Sequence, residues 1–157
     1  MDHAEAFKRA SDGFAARIRA VRPDRWHSPS PCAPWTARDV VAHVINEQRR
    51  MLSTVRGVDP EPVHGVGIAE MGTIPELAAD ADLAAAWDQV GSGHTWDLAR
   101  ATGGDERLDP DVVRQVHEAL KPLEEFFRQP WAFGPKVDAP PGADAQTEFL
   151  CFVGRKP

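Results

Sequence analysis

Between Pro110 and Phe127 the apolar residues fall at Val112, Val113, Val116, Leu120, Leu123 and Phe127. Steps of three and four bring such residues to one side of an α-helix. Asp109 stands before this run as a cap. Pro110 takes the first helical position, where a missing N–H costs nothing, and Pro122 inside the run should bend the helix. The same period recurs along the chain. Residues 4–21 carry a stripe at Phe7, Ala10, Phe14, Ile18 and Val21, ended by Arg22-Pro23-Asp24. The stretch ARDVVAHVINEQRRMLSTVR puts Val40, Val41, Val44, Ile45, Met51 and Leu52 on one side. Thr36 precedes it as an N-cap, and Asp39 lies against the positive helix end. Residues 77–90 are Ala-rich, with Leu83, Ala86, Trp87 and Val90 facing inward. Residues 94–102 read as two helical turns closed by Gly103-Gly104, and residues 143–153 as a short last helix docked through Phe149, Leu150 and Phe152. No segment carries a strong strand signal, so the expected fold is an all-α antiparallel helical bundle.

Between these helices lie loops at 26–34, with three prolines, at 57–75, rich in Gly and Pro, and at 130–141. The second exceeds the ~12–15 residues usual for an unstructured connection, which marks it as a candidate functional loop. A length of 157 residues suits a single domain over 1–157. Acidic residues outnumber basic ones, 24 to 18, and the net charge of −6 argues against unspecific nucleic-acid binding. No apolar run approaches the ~20 residues of a membrane helix. The charged start MDHAEAFKRASDGF has no apolar signal core, so a cytoplasmic location is expected. Cys32 and Cys151 form neither a disulfide framework nor a CxxC site.

Six histidines are the main candidates for chemistry: His3, His27, His43, His64, His94 and His117. Neutral imidazole is the commonest metal ligand. His43 and Glu47 are four apart and project to one margin of the helix's apolar face, where they could hold a metal or form a charge-assisted hydrogen bond. His94 and Asp97, three apart on the helix after Gly91-Ser92-Gly93, leave the same two readings open, with a backbone amide or Arg100 as the simpler partner of Asp97. Cys32 could serve as a nucleophile near His27 or His43, but its flanking prolines and the lack of an activating pattern argue against it. Trp96 and Leu98 read as core residues, Arg38 and Arg155 as solvated ones. No HExxH, P-loop or dinucleotide-binding glycine motif is present.

Three strings are more specific. SPSPCAPWTARDVVAHV resembles a motif near the start of the mycothiol-dependent maleylpyruvate isomerase metal-binding domain. HTWDLARATGGDERLD and FGPKVDAPPGADAQTEFLCFVGRKP resemble the second signature and the C-terminal end of one branch of its bacterial relatives, within the wider DinB-like superfamily. The resemblance implies a DinB-like bundle of four main antiparallel helices, here shortened and followed by a short C-terminal helix. It also implies a divalent metal, zinc or nickel, at one end of the bundle. The first ligand falls on His43 and a later histidine on His94. The third ligand, four residues before that histidine, falls on Val90, which cannot bind metal. Relatives of this branch carry a longer stretch before the His-x-Trp-Asp-Leu string, so the Gly91-Ser92-Gly93 joint is expected to mark an internal deletion of a few tens of residues, natural or engineered. Zinc normally takes at least three protein ligands. Glu47, Asp97 or His64 would therefore have to complete the set, with lowered affinity.

Two functions follow from the resemblance. One is a metal-binding protein acting as a thiol-dependent transferase or isomerase, with mycothiol or another small-molecule thiol as partner. The other is a non-catalytic helical binding or regulatory module with a vestigial metal site. Apolar faces uncovered by a shortened bundle could drive homodimerisation.

Overall fold

The computed structural model describes residues 1–56, 93–129 and 132–157, without the side chains of 49–56. The loop expected at 57–75, the helix at 77–90, His64, Val90 and most of the Gly-Ser-Gly joint lie outside the described residues. What is described is all-α. Helix α1 spans His3–Ala20, α2 Ala37–Arg56, α3 residues 93–102, α4 Pro110–Leu120, α5 Glu124–Phe127 and α6 Ala145–Phe152. One isolated bridge, Pro29 to Thr36, is the only extended pairing among these residues. This is the DinB-like bundle with a short C-terminal helix that the resemblance implies. No described helix is long and apolar enough to cross a membrane.

The caps follow from the sequence. Thr36 and Asp39 bond reciprocally: the Asp39 carboxylate accepts from the Thr36 amide at 2.9 Å and hydroxyl at 2.7 Å, and the Asp39 amide donates back at 3.4 Å. Asp109 accepts from the amides of Asp111 and Val112, and Arg9 of α1 pairs with the same carboxylate. Asp109→Ala should lower stability by about 1–2 kcal/mol, read as a lower urea midpoint with an unchanged slope. Pro122 acts as expected. Helix α4 ends at Leu120, a 3₁₀ turn covers Lys121–Leu123, and α5 follows over Glu124–Phe127.

Two apolar clusters meet at α3. Trp96 belongs to one, with Val112, Val116 and Leu120 of α4 and Phe149 and Leu150 of α6. Leu98 belongs to the other, with Phe14 of α1 and Val40, Val41 and Val44 of α2. Residues 93–99 of α3 are all buried, with Trp96 in one cluster and Leu98 in the other. The expected α1 stripe is off by one residue at its start. Ala6, Ala10 and Phe14 are buried, whereas Phe7 is 41% exposed. Steps of four from Phe14 lead back to Ala10 and Ala6, and Phe7 lies a further 100° round the helix.

Candidate metal centre

Burying α3 on all sides forces its polar side chains to find partners inside the protein. His94 and Asp97 are 7% and 0% exposed. His94 Nδ1 lies 2.8 Å from Asp97 Oδ2. The opposing helix α2 contributes His43 and, one turn on, Glu47, both buried. The His43 and His94 rings meet edge to face with centroids 5.0 Å apart, so the two imidazoles from distant parts of the chain do converge. Of the other histidines, His3 and His27 are exposed, and His117 packs on Phe152 away from this site.

A loop closes over the pair. The amide of Ala37 donates to Ser28 O, and that of Arg38 to Trp26 O, which ties residues 26–36 to the start of α2. A turn joining the Trp35 amide to Cys32 O then directs both side chains at α3. Trp35 lies 4.7 Å from the His43 ring and 6.1 Å from the His94 ring, centroid to centroid. The Cys32 thiol donates to Asp97 Oδ2 at 3.1 Å. Burial, and then the charge of Asp97, push this thiol up to about 12, so it stays protonated.

The fourth contributor comes from the chain end. Arg155 forks onto Asp97, Nε to Oδ1 at 3.2 Å and Nη2 to Oδ2 at 2.7 Å, while Nη1 donates to Val153 O at 2.8 Å. Burial alone would raise the Asp97 carboxyl, but the charge of Arg155 and the hydrogen bond from His94 outweigh it and hold the group well below the usual carboxylate range. Burial likewise disfavours the Arg155 cation, and the Asp97 charge overcomes it, leaving the guanidinium more firmly protonated than usual.

Two readings of the sequence are corrected here. Arg155 is not solvated: its side chain is 10% exposed and salt-bridged. Asp97 pairs with Arg155 and His94 rather than with Arg100, which points outward, covers the Trp96 ring and pairs with Glu106. Cys32, given no role by its neighbours in sequence, stands inside the site. The thiol of Cys32, the imidazole of His94 and the carboxylate of Asp97 bring ligand atoms within 4.8 Å of one another, a group able to hold a metal ion.

The profile of the mycothiol maleylpyruvate isomerase N-terminal domain matches residues 7–150. The chain belongs to this family. Two uncharacterized proteins of Mycobacterium tuberculosis, from strains CDC 1551 / Oshkosh and ATCC 25618 / H37Rv, are each 31% identical to it over 179 aligned positions, covering 99% of this chain and 98% of the relative. No solved structure matches. An alignment of 179 positions exceeds the 157 residues of the chain, so at least 22 of them face gaps in it. The two histidines to which the resemblance assigns ligands, His43 on α2 and His94 on α3, are both buried and face one another.

Proposed function

We propose that this chain is a divalent-metal-binding protein of the mycothiol-dependent isomerase type, holding zinc or nickel through His43 and His94 and working as a thiol-dependent transferase or isomerase. The observation that carries this reading is the 5.0 Å approach of the two buried rings, His43 and His94, to which the sequence resemblance assigns ligands. Imidazole, carboxylate and thiol are the donor types that borderline divalent ions take. A bound ion would supply Lewis acidity and lower the pKa of a thiol or water beside it.

The donors do not contribute equally. Oδ2 of Asp97 already accepts from Arg155, His94 and Cys32. The guanidinium also lies 3.6 Å from Cys32 Sγ. A dication placed among Cys32, His94 and Asp97 would meet a fixed positive charge touching two of its three donors. We therefore assign the ion to the other nitrogen of His94, Nε2, with His43 and with Glu47 as the nearest carboxylate on the same helix. Asp97, expected from the sequence as a ligand, becomes the group behind the ligand. Trp35 packs against both imidazole rings on the loop side of the site.

The test is metal analysis of protein purified without a His-tag. One zinc or nickel per chain is expected. His43→Ala should weaken zinc binding by more than the ~10–100-fold typical of losing an outer partner. Thiol-transfer rates with mycothiol should fall in both His43→Ala and His94→Ala. A wild-type protein that takes up no ion under saturating zinc sinks this reading in favour of the non-catalytic module.

A further inference from the structure

We infer that Arg155, third from the end of the chain, is a positioning residue of this site: it fixes Asp97, and Asp97 fixes His94 with its proton on Nδ1 and its lone pair on Nε2. The inference rests on the metal reading above for its function, but not for its geometry.

His94 lies at the start of the described part of α3, and an imidazole keeps one orientation only where a partner holds it. Asp97 supplies that hold one turn on. A carboxylate accepts and cannot donate, so the ring nitrogen facing it carries the proton. The carboxylate itself is clamped at both oxygens by the planar Arg155 fork, with the Cys32 thiol as a further donor. A lysine could not reproduce both contacts.

All three Arg155 nitrogens donate within the protein: Nε and Nη2 to Asp97, Nη1 to Val153 O, with Nη2 also 3.6 Å from Cys32 Sγ. Its charged contact with the site is Asp97, through which it acts on His94. The backbone prepares this placement. Beyond α6, the Gly154 amide donates to Cys151 O at 3.1 Å and the Arg155 amide to Leu150 O at 2.8 Å, which turns the chain back toward α3. Outer partners of this kind set the tautomer of metal-binding histidines and raise their basicity.

The experiment is long-range proton–nitrogen NMR on metal-free protein labelled at histidine nitrogen, followed by titration with zinc alone against a competing chelator. Wild-type His94 should show a protonated Nδ1 and a bare Nε2. In Asp97→Asn, Arg155 engages the carboxamide oxygen, the NH₂ faces His94, and the proton should move to Nε2. Zinc affinity should then fall about 10–100-fold. Arg155→Ala should give mixed tautomers and a loss of about tenfold, and Arg155→Lys should recover only part of it. A wild-type His94 protonated on Nε2 overturns the inference, even if no variant folds. So does an unchanged tautomer in folded Arg155→Ala. If the tautomer follows Asp97 and Arg155 while the wild type binds no zinc, the positioning stands and the metal reading fails.

Discussion

Asp97→Ala is expected to destabilise the metal-free protein by about 3–5 kcal/mol, the range for stripping one partner from a buried ion pair. The loss comes less from the missing attraction than from what remains. Arg155, 10% exposed at its side chain, keeps a charge it cannot shed, and two of its donors lose their acceptor. His94 and Cys32 each lose a partner as well. At about 2–4 °C per kcal/mol for a domain of this size, the melting temperature should drop by roughly 6–20 °C. Asp97→Ala combined with Arg155→Ala should cost clearly less than the two single changes summed, because the second change removes the stranded cation. Additive losses would show that the pair does not interact in solution.

The same pair shapes the response to acid. The folded Asp97 carboxyl lies below its ordinary range because of Arg155 and His94. Near pH 4 the unfolded chain therefore binds more protons at this residue than the folded one, and stability rises with pH there. The contribution is complete above about pH 5 and is lost as the pH falls through and below about 4. Asp39 and Asp144 are lowered too, chiefly by hydrogen bonds from Thr36 and Thr147; for Asp109 burial works the other way, and the hydrogen bond from Arg9 of α1 outweighs it. They persist in Asp97→Asn, so subtracting the variant's urea stability from that of the wild type, pH by pH, isolates Asp97. A flat difference from pH 3 to 6 would refute the ion pair as its source.

What the sequence could and could not say divides along the range of the forces involved. The helix α4, its Asp109 cap and the break at Pro122 all depend on neighbours within four residues, and each was readable from spacing. So was the Thr36–Asp39 cap. His43 and His94 could be singled out because few other residue types bind metal and both fell on family motifs. Cys32, Trp35 and Arg155 were not readable as site residues, because nothing local ties residue 32 or 155 to residue 97. A charged side chain near the end of a chain looks solvated until Val153 and Phe152 beside it prove to be core. Asp97 shows the same contrast. Its local candidate, Arg100, loses to a partner 58 positions away, because Asp97 faces the buried interior whereas Arg100, three residues on, is exposed. The α1 stripe went astray for a simpler reason: small alanines at 6 and 10 mark the buried line better than the larger Phe7.

The turn that delivers Arg155 provides the other large expected effect. Gly154→Ala should cost about 2–5 kcal/mol, adding the ~1–2 of a left-handed alanine to the ~1–3 of overpacking. Gly154 has φ of 80°, and a Cβ there would collide with the carbonyl oxygen of Phe133 and come 3.1 Å from that of Pro135. These are backbone atoms of a segment held in place by its own contacts: the Phe133 ring stacks 5.2 Å from Phe127, and the Phe133 amide donates to Phe127 O. Neither side can retreat cheaply. Gly103 and Gly142 offer the control, since both have positive φ, of 70° and 77°, but nothing within 4 Å of a built Cβ. Alanine at either should cost only the backbone term, ~1–2 kcal/mol. Melting curves of the three variants separate the two contributions. Because Gly154 precedes Arg155, the Gly154 variant should also loosen Asp97 and weaken zinc binding, whereas the Gly142 variant should leave it intact. Equal losses of stability at 154 and 142 would mean that the approach of Phe133 to Gly154 is not tight in solution.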